Sequence, residues 1–422
     1  MDDSEKQFDV AVIGAGPAGM MAAIAAAEAG SRVVMLEKND RPGVKLLLTG
    51  NGRCNFTNAK TDLRELAAAY GVNGPFLFHA FSRFGPKDAI VFFEKMDVPS
   101  KIEDRDRVFP KSDKARDILD ALESRMDSAA VTVKYGARVK SLVCDGKLVK
   151  EIILEDGKIA ARNLIIATGG KSYGITGSTG DGYAWARTLG HNIVKPVPAL
   201  VPLRIGEPWI KDLQGVGLDL AGASIVKKGK KGNIKTGALL FTHYGLSGPL
   251  VLDLSGAVGK ELEAGPVNLL INLAPDKKFE DLEKNIINDF QKNGSKELKN
   301  CHTGSFPKKI WSLVLACADV NQEKHANGAT REERRSIIAK ITGLPVTVTG
   351  LLGFDDAIIT AGGVPPKEID GKTMRSRIIN NLFFAGEIID DHGPTGGYNL
   401  QQSWSTGHLA GESAAKNSRQ AS

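Results

Sequence analysis

The residues of this chain that could do chemistry fall in four short segments and three isolated proton carriers. Near the start, Gly14, Gly16 and Gly19 are spaced G-x-G-x-x-G, and Glu37 follows 18 residues after the last of them, with Lys38 beside it. Such glycines let a turn tighten, let a pyrophosphate approach the main chain and let a helix lie close to a strand. An acid at that distance can accept hydrogen bonds from a ribose. This is the chemistry of holding an adenine dinucleotide. The second segment runs from Pro42 to Asn55 and sets Lys45, Arg53, Cys54 and Asn55 in one Gly-rich loop. Its cations and main-chain donors could hold the pyrophosphate or sit near a redox-active ring; they also read as surface charges on a long turn. Cys54 reads as a reactive thiol or as a small buried hydrophobe. The third segment is Ala167-Thr168-Gly169-Gly170, and the fourth runs from Gly386-Glu387 to Gly397-Tyr-Asn399-Leu400-Gln401. His243, Tyr244 and His392 are candidate proton donors to a substrate, although a lone histidine is often structural.

The elements around these segments must bring them together. Val10, Val12 and Ile13 form an apolar run that reads as a buried parallel strand; an Ala-rich helix and a second strand, Arg32 to Glu37, follow. The free N–H groups at the helix start attract a pyrophosphate. Asn163 to Ala167 and Asn381 to Phe384 read as two further buried strands, each ending at one of the Gly segments. A helix over Asn399 to Ala415 would aim its positive end at a reduced flavin. A nicotinamide domain needs no such third element, so the order of segments selects FAD. No second strand–G-x-G-x-x-G–helix unit is present, so any NAD(P)H docks without a Rossmann unit of its own. Asp113 is expected to cap a helix running to Asp127, and Asp181 to cap one containing Trp185.

The 422 residues carry a net charge of +6, with 42% hydrophobic and 25% charged residues, the balance of an ordinary soluble enzyme. The modest charge does not point to nucleic acid, and the basic run Lys227 to Lys231 reads as a hairpin tip. Four scattered cysteines without a C-x-x-C pair disfavour a metal site and fit a reducing cytoplasm. Residues 11–27 are uncharged, but acids precede them and the glycine fingerprint accounts for the run; no membrane span is expected. The texture changes near Pro196. Short strand-like segments at 200–206, 221–228, 235–241, 250–254 and 267–273 suggest a small barrel, and helices at 280–291, 310–320 and 331–341 suggest a helical subdomain. The expected architecture is an α/β, Rossmann-like FAD-binding domain of glutathione-reductase type made of 1–195 and 350–422. A β-barrel (196–275) and a helical piece (276–349) interrupt it.

Together these segments resemble the BaiN-like, YhiN-like flavoproteins, a family that includes an aminoacetone oxidase. The resemblance rests on Gly14 to Gly19, Lys45 to Asn58, Ala167 to Gly182, Phe241 to Pro249 and Gly386 to Gly411. Asn51-Gly-Arg-Cys-Asn55 and Gly396-Gly-Tyr-Asn399 are its most specific parts. The family pattern usually has glycine where this chain has Asn51. The resemblance implies FAD contacts at Gly14, Gly16, Gly19, Glu37, Lys45, Arg53, Cys54, Asn55, Thr168, Gly169, Gly386, Asn399, Leu400 and Gln401. It also implies a main-chain contact from Val139 to adenine. Lys38, Glu387 and Gly397 lie within the same segments and complete the candidate cofactor contacts. The implied activity is FAD-dependent hydride transfer to a conjugated C=C of a small organic molecule, with NAD(P)H as donor; the alternative is a peroxide-producing amine oxidase. No metal, nucleic-acid or membrane partner is expected.

Overall fold

A computed structural model describes residues 8–227, 229–301 and 306–420. The chain divides into two units, one comprising the residues up to Pro198 and from Ile358 on, the other Ala199–Ala357.

The first unit is built on a parallel sheet. Its parallel strands are β1 (Phe8–Ile13), β2 (Val33–Leu36), β3 (Thr132–Lys134), β4 (Ala161–Ile166) and β5 (Leu382–Phe384), in the order β5-β4-β1-β2-β3, and two short antiparallel strands, Arg375–Ser376 and then Ile369–Asp370, extend the sheet beyond β5. That is the 3-2-1-4-5 order of a doubly wound dinucleotide-binding sheet. Val12 lies between Met35 and Ile165 in register, and the three central strands are almost wholly buried, as both-sided cover of a parallel sheet requires. Part of that cover comes from α1 (Pro17–Glu28) and α2 (Tyr398–Gln420). These two helices pack with no room for side chains between them. A Cβ on Gly407 would lie 2.3 Å from the Ala18 carbonyl oxygen, and one on Gly411 would lie 2.2 Å from that of Ala22. The last helix of the chain is thus fitted to the first. A three-stranded antiparallel sheet, Val139–Asp145 with Leu148–Leu154 and Gly157–Ile159, packs against the parallel one, adding Val139, Val149 and Ile152 to its core, and Asn381 bonds the Val149 main chain.

The second unit holds a closed six-stranded antiparallel barrel. Gly217–Lys227 pairs with Lys235–Phe241; the ladder continues through Gly245–Ser247, Leu203–Ile205, Leu344–Leu351 and Val267–Asn272, and returns to the first strand. Helices Phe279–Lys292, Lys308–Cys317 and Arg331–Thr342 share one apolar core with it. Lys227 pairs with Lys230 at the basic hairpin; the intervening Lys228 lies outside the described residues.

Several expectations are corrected. Residues 250–254 belong to a helix, Pro249–Leu262, not a strand. The apolar run there is short enough to read either way, but its buried positions (Leu250, Val251, Leu254, Ser255 and Val258) follow the helical period. Pro249 occupies the first turn, where a missing N–H does no harm. The helical piece expected to 349 ends in the barrel strand Leu344–Leu351, whose alternating burial a helix could not give. Asp113 does not cap its helix. It has a left-handed φ of 58°, and its carboxylate is drawn into ion pairs with Arg53 and Lys101, leaving Lys114 at the cap. Asp181 is the first helical residue rather than the cap; Gly180 takes the cap with φ 83°, and Asp181 instead binds Lys38.

Candidate cofactor and active site

The candidate cofactor residues of the first unit gather at the carboxyl ends of the parallel strands. At the end of β1, Gly14 has φ 104°, and a Cβ there would lie 2.7 Å from the Ala167 carbonyl oxygen. A Cβ on Gly19 would collide with the Gly14 carbonyl oxygen at 1.8 Å. Both glycines are required by the protein's own packing. Gly16 is different: its φ is −84°, and no protein atom lies within 4 Å of where a Cβ would be. The fold permits a side chain at Gly16; a pyrophosphate closing on the start of α1 would not. No side chain caps that helix, so its first N–H groups are not bound by one.

Glu37, at the end of β2, is only 8% exposed. Its two oxygens accept the Ala15 N–H at 2.7 Å and the Asn39 N–H at 2.9 Å. The acid is thereby fixed against the glycine turn, with lone pairs left over for a ribose. Lys38 instead donates to Thr179 and Asp181.

The loop after Glu37 splits its candidates. The Lys45 ammonium donates to Glu387 and to the Ser172 hydroxyl, both at 2.8 Å. Glu387 also accepts the Thr360 N–H at 2.7 Å and the Ser172 hydroxyl at 3.0 Å. This network ties the loop to the exit of β5, so two candidates 342 positions apart in sequence meet. Arg53 turns elsewhere. It binds Glu103 and Asp113 and stacks at 4.2 Å over the Phe109 ring. Hydrogen bonds from Arg53 hold the Glu103 carboxyl below its usual range; those from Lys101 and then Arg53 do the same for Asp113. Cys54 is fully buried with φ 59°, and burial pushes its thiol up to about 12. A thiol so held is neutral at pH 7 and packs as a small hydrophobe. Asn51, at the position where the related pattern has glycine, has a left-handed φ of 55°, which asparagine tolerates best among non-glycines. The buried Asn55 Oδ1 has no hydrogen-bond partner in the protein.

At the end of β4, Gly169 has φ 70°, and the buried Thr168 hydroxyl oxygen lacks a partner. Gly182 passes so close that a Cβ would lie 2.2 Å from that oxygen. At the end of β5, Gly386 has φ 75° and donates its N–H to Thr406 of α2. Gly397 (φ 95°) presses on the main chain of Thr57; Asn399 receives the Gly393 N–H and donates back to the Gly393 carbonyl; Leu400 packs on the core. Gln401 is fully buried and joined to Thr57 and Phe84. The loop leading into α2 is therefore clamped at several points. Val139 opens the antiparallel sheet, where it pairs with Leu154, two residues after Ala137, whose N–H binds the Glu37 carbonyl at 2.9 Å.

Of the proton-donor candidates, half-buried His392 stands in this loop. His243 and Tyr244 belong to the other unit, where their rings meet edge to face at 4.7 Å and Tyr244 packs beside Val201, Leu352 and Ala357. Three contributors to the first unit had no sequence signal strong enough to single them out. Ser172 and Thr360 complete the Lys45–Glu387 network. Asp391 is buried to 3% exposure with neither carboxyl oxygen bonded, and burial pushes it up to about 7. Among the described residues no cluster of His, Cys, Asp and Glu could hold a metal ion, and no helix is long and apolar enough to cross a membrane.

Comparison with known proteins decides the family, since the profile of the HI0933-like protein Rossmann domain matches residues 8–413. The chain belongs to this family. Family members that resemble it along their whole length include a 3-dehydro-bile acid delta(4,6)-reductase of Clostridium scindens, 32% identical over 411 residues (96% of this chain and 99% of the relative). A ribosomal RNA dihydrouridine synthase of Escherichia coli is 32% identical over 403 residues, 95% of this chain and 96% of the relative. Among solved structures, a 3-ketosteroid-delta4-(5alpha)-dehydrogenase from Rhodococcus jostii aligns with a TM-score of 0.53 at 17% identity, over 98% of both chains. That likeness is one of fold. The protein is an FAD-dependent oxidoreductase of the HI0933-like family. The residues at the strand ends fit such a cofactor: a glycine the fold itself does not need, an acid fixed at the ribose position, and buried Asn55 and Thr168 oxygens without partners.

Proposed function

We propose that this protein reduces a carbon–carbon double bond conjugated to a carbonyl, with NAD(P)H as the electron source. One observation carries the reading. Whole-length relatives at about equal identity are named for a bile acid delta(4,6) reduction and for dihydrouridine formation. A 3-oxo-4-ene and the C5=C6 bond of uracil are very different molecules, yet each is an alkene polarised by a neighbouring carbonyl. The shared chemistry is hydride addition to the β-carbon and proton addition to the α-carbon.

In this reading Gly14, Gly16 and Gly19 receive the pyrophosphate and Glu37 the adenosine ribose. Thr168, Gly169, Gly386 and Asn399 to Gln401 line the remainder of the cofactor. Bound there, FAD supplies two-electron hydride chemistry. Lys45, ion-paired with Glu387 and bonded to Ser172, is held in a fixed position beside the cofactor. Cys54, being neutral and buried, takes no part in electron transfer. His392 is the proton donor best supported, because it stands in the clamped loop between β5 and α2. Arg53 is a structural cation, committed to Glu103 and Asp113.

The substrate class has a second reading with its own support: a further whole-length relative, from Haemophilus influenzae and 30% identical, is also named a ribosomal RNA dihydrouridine synthase. A uridine in RNA is then the alkene. One anaerobic experiment tests both. The flavin is reduced with NADH or NADPH and then offered a 3-oxo-4-ene steroid, a uridine-containing ribosomal RNA fragment, or oxygen. Rapid reoxidation by the steroid or the RNA, with a saturated product in the mass spectrum, supports the proposal and selects the substrate. Reduction by small amino ketones but not by NAD(P)H, with peroxide formed on exposure to oxygen, overturns it in favour of an amine oxidase.

A further inference from the structure

We propose that Asp391 is a redox-linked proton store: its carboxylate takes up one proton from solvent when the bound flavin gains two electrons and releases it when they leave. The proposal rests on the cofactor placement above and goes beyond it, since no step of the proposed reduction uses Asp391.

The geometry is specific. Asp391 is 3% exposed, and neither carboxyl oxygen has a hydrogen-bond partner. A buried carboxyl without partners is destabilised chiefly in its ionised form. The groups that face it give little relief. Tyr70 is buried and spends its hydroxyl on the Tyr398 carbonyl. Asp390, next in the chain, is itself a carboxyl and adds repulsion; the adjacent His392 main chain pulls weakly the other way. No lysine or arginine is paired with Asp391 among the described residues. Burial therefore dominates and brings the group up to about 7, where one further charge decides its state.

Its main chain cannot carry it away. The Asp391 carbonyl accepts the Gln402 side-chain amide at 3.0 Å, which pins the residue to the first turns of α2. The Asp391 N–H binds the Ile389 carbonyl at 2.7 Å, and the Asp390 carboxyl accepts the Gly362 N–H. Asp391 is thus fixed two positions before the Gly393–Asn399 clamp that leads to the flavin. Negative charge arriving on a reduced isoalloxazine acts on a carboxylate that can neither move nor find a counter-ion. In so dry a place the response is protonation. The balance is simple: a hydride donor gives the flavin two electrons and the N5 proton together, or dithionite gives the two electrons and solvent that proton; either leaves the ring anionic, and solvent then gives Asp391 one proton.

The test is spectroelectrochemical titration of the flavin-loaded protein across pH 6 to 9, beside Asp391→Asn. Above pH 7 the wild type should take up one proton more per two electrons than the variant. The reduced-minus-oxidised infrared spectrum of the wild type should gain a protonated-carboxyl band that the variant lacks. Equal proton stoichiometry in the two proteins overturns the proposal. Should Asp391→Asn fail to hold flavin, the infrared measurement on the wild type decides alone, and absence of the carboxyl band overturns the proposal. Loss of the cofactor reading is distinguishable, because a protein that takes up no flavin gives no redox signal at all.

Discussion

The three fingerprint glycines look alike in sequence and differ in why they are there. Gly14 and Gly19 are demanded by main-chain neighbours that a Cβ would strike, whereas Gly16 has open room around it. Gly16→Ala should therefore melt within about a degree of the wild type and yet purify without flavin, while Gly19→Ala should fail to accumulate as folded protein. Thermal melts read against flavin absorbance separate the two. Asp391 gives a pH prediction with a definite sign. Its folded-state value, about 7, lies above the ordinary aspartate value, so the native state binds more protons than the unfolded chain. The stability it contributes is present at low pH and lost as pH rises toward and through 7. Asp391→Asn should thus be the more stable protein at pH 8, by several degrees, with the advantage shrinking below pH 7 and gone near pH 4.

At the scale of elements, a hydrogen-bonded triad fixes the edge of the parallel sheet. His191, whose side chain is fully buried, bonds Glu368 at 3.0 Å through Nδ1 and the Ser376 hydroxyl at 2.9 Å through Nε2, and packs edge-on against Phe384 of β5. Ser376 also accepts the N–H groups of Ile378 and Ile379, so its hydroxyl is saturated and the triad is structural. Burial lowers His191 below its ordinary value, so the unfolded chain binds the extra proton first. That stability is whole above about pH 6.5 and falls with the pH below it. His191→Ala should cost about 2 kcal/mol in a denaturant melt at pH 7.5, and the difference from the wild type should narrow at pH 5.5. The fit between α1 and α2 is tighter still. Gly411→Val places methyl groups where the Ala22 carbonyl already lies and should destabilise by about 3 kcal/mol or more, visible as a lower denaturant midpoint.

Across the whole molecule, the sequence was most readable where one residue type answers one backbone demand. The β1–α1–β2 unit and the two later strands could be placed from apolar runs ending in glycine, because a parallel strand buried on both faces is apolar throughout. Lys45 and Glu387 could be named as neighbours of one cofactor, yet nothing in either segment showed that they bind each other across 342 positions, or that Ser172 and Thr360 complete the pair. The ion pairs of Arg53 were hidden for the same reason: its acids, Glu103 and Asp113, lie in segments that only tertiary packing brings to it. Asp391 was hidden because burial is not a property of a residue in its own sequence window. In the second unit the barrel strand Leu344–Leu351 was missed through its helical neighbours, and Pro249–Leu262 was misread because four apolar residues carry no period of their own.

A crystal structure of the flavin-loaded protein tests the central claim most directly. The account predicts one FAD with its pyrophosphate against Gly16 at the start of α1, its adenosine ribose on Glu37, and its isoalloxazine beside the loop from Gly393 to Gln401. A cofactor that reaches only one of those two ends, or that lies in another part of the chain, would contradict it.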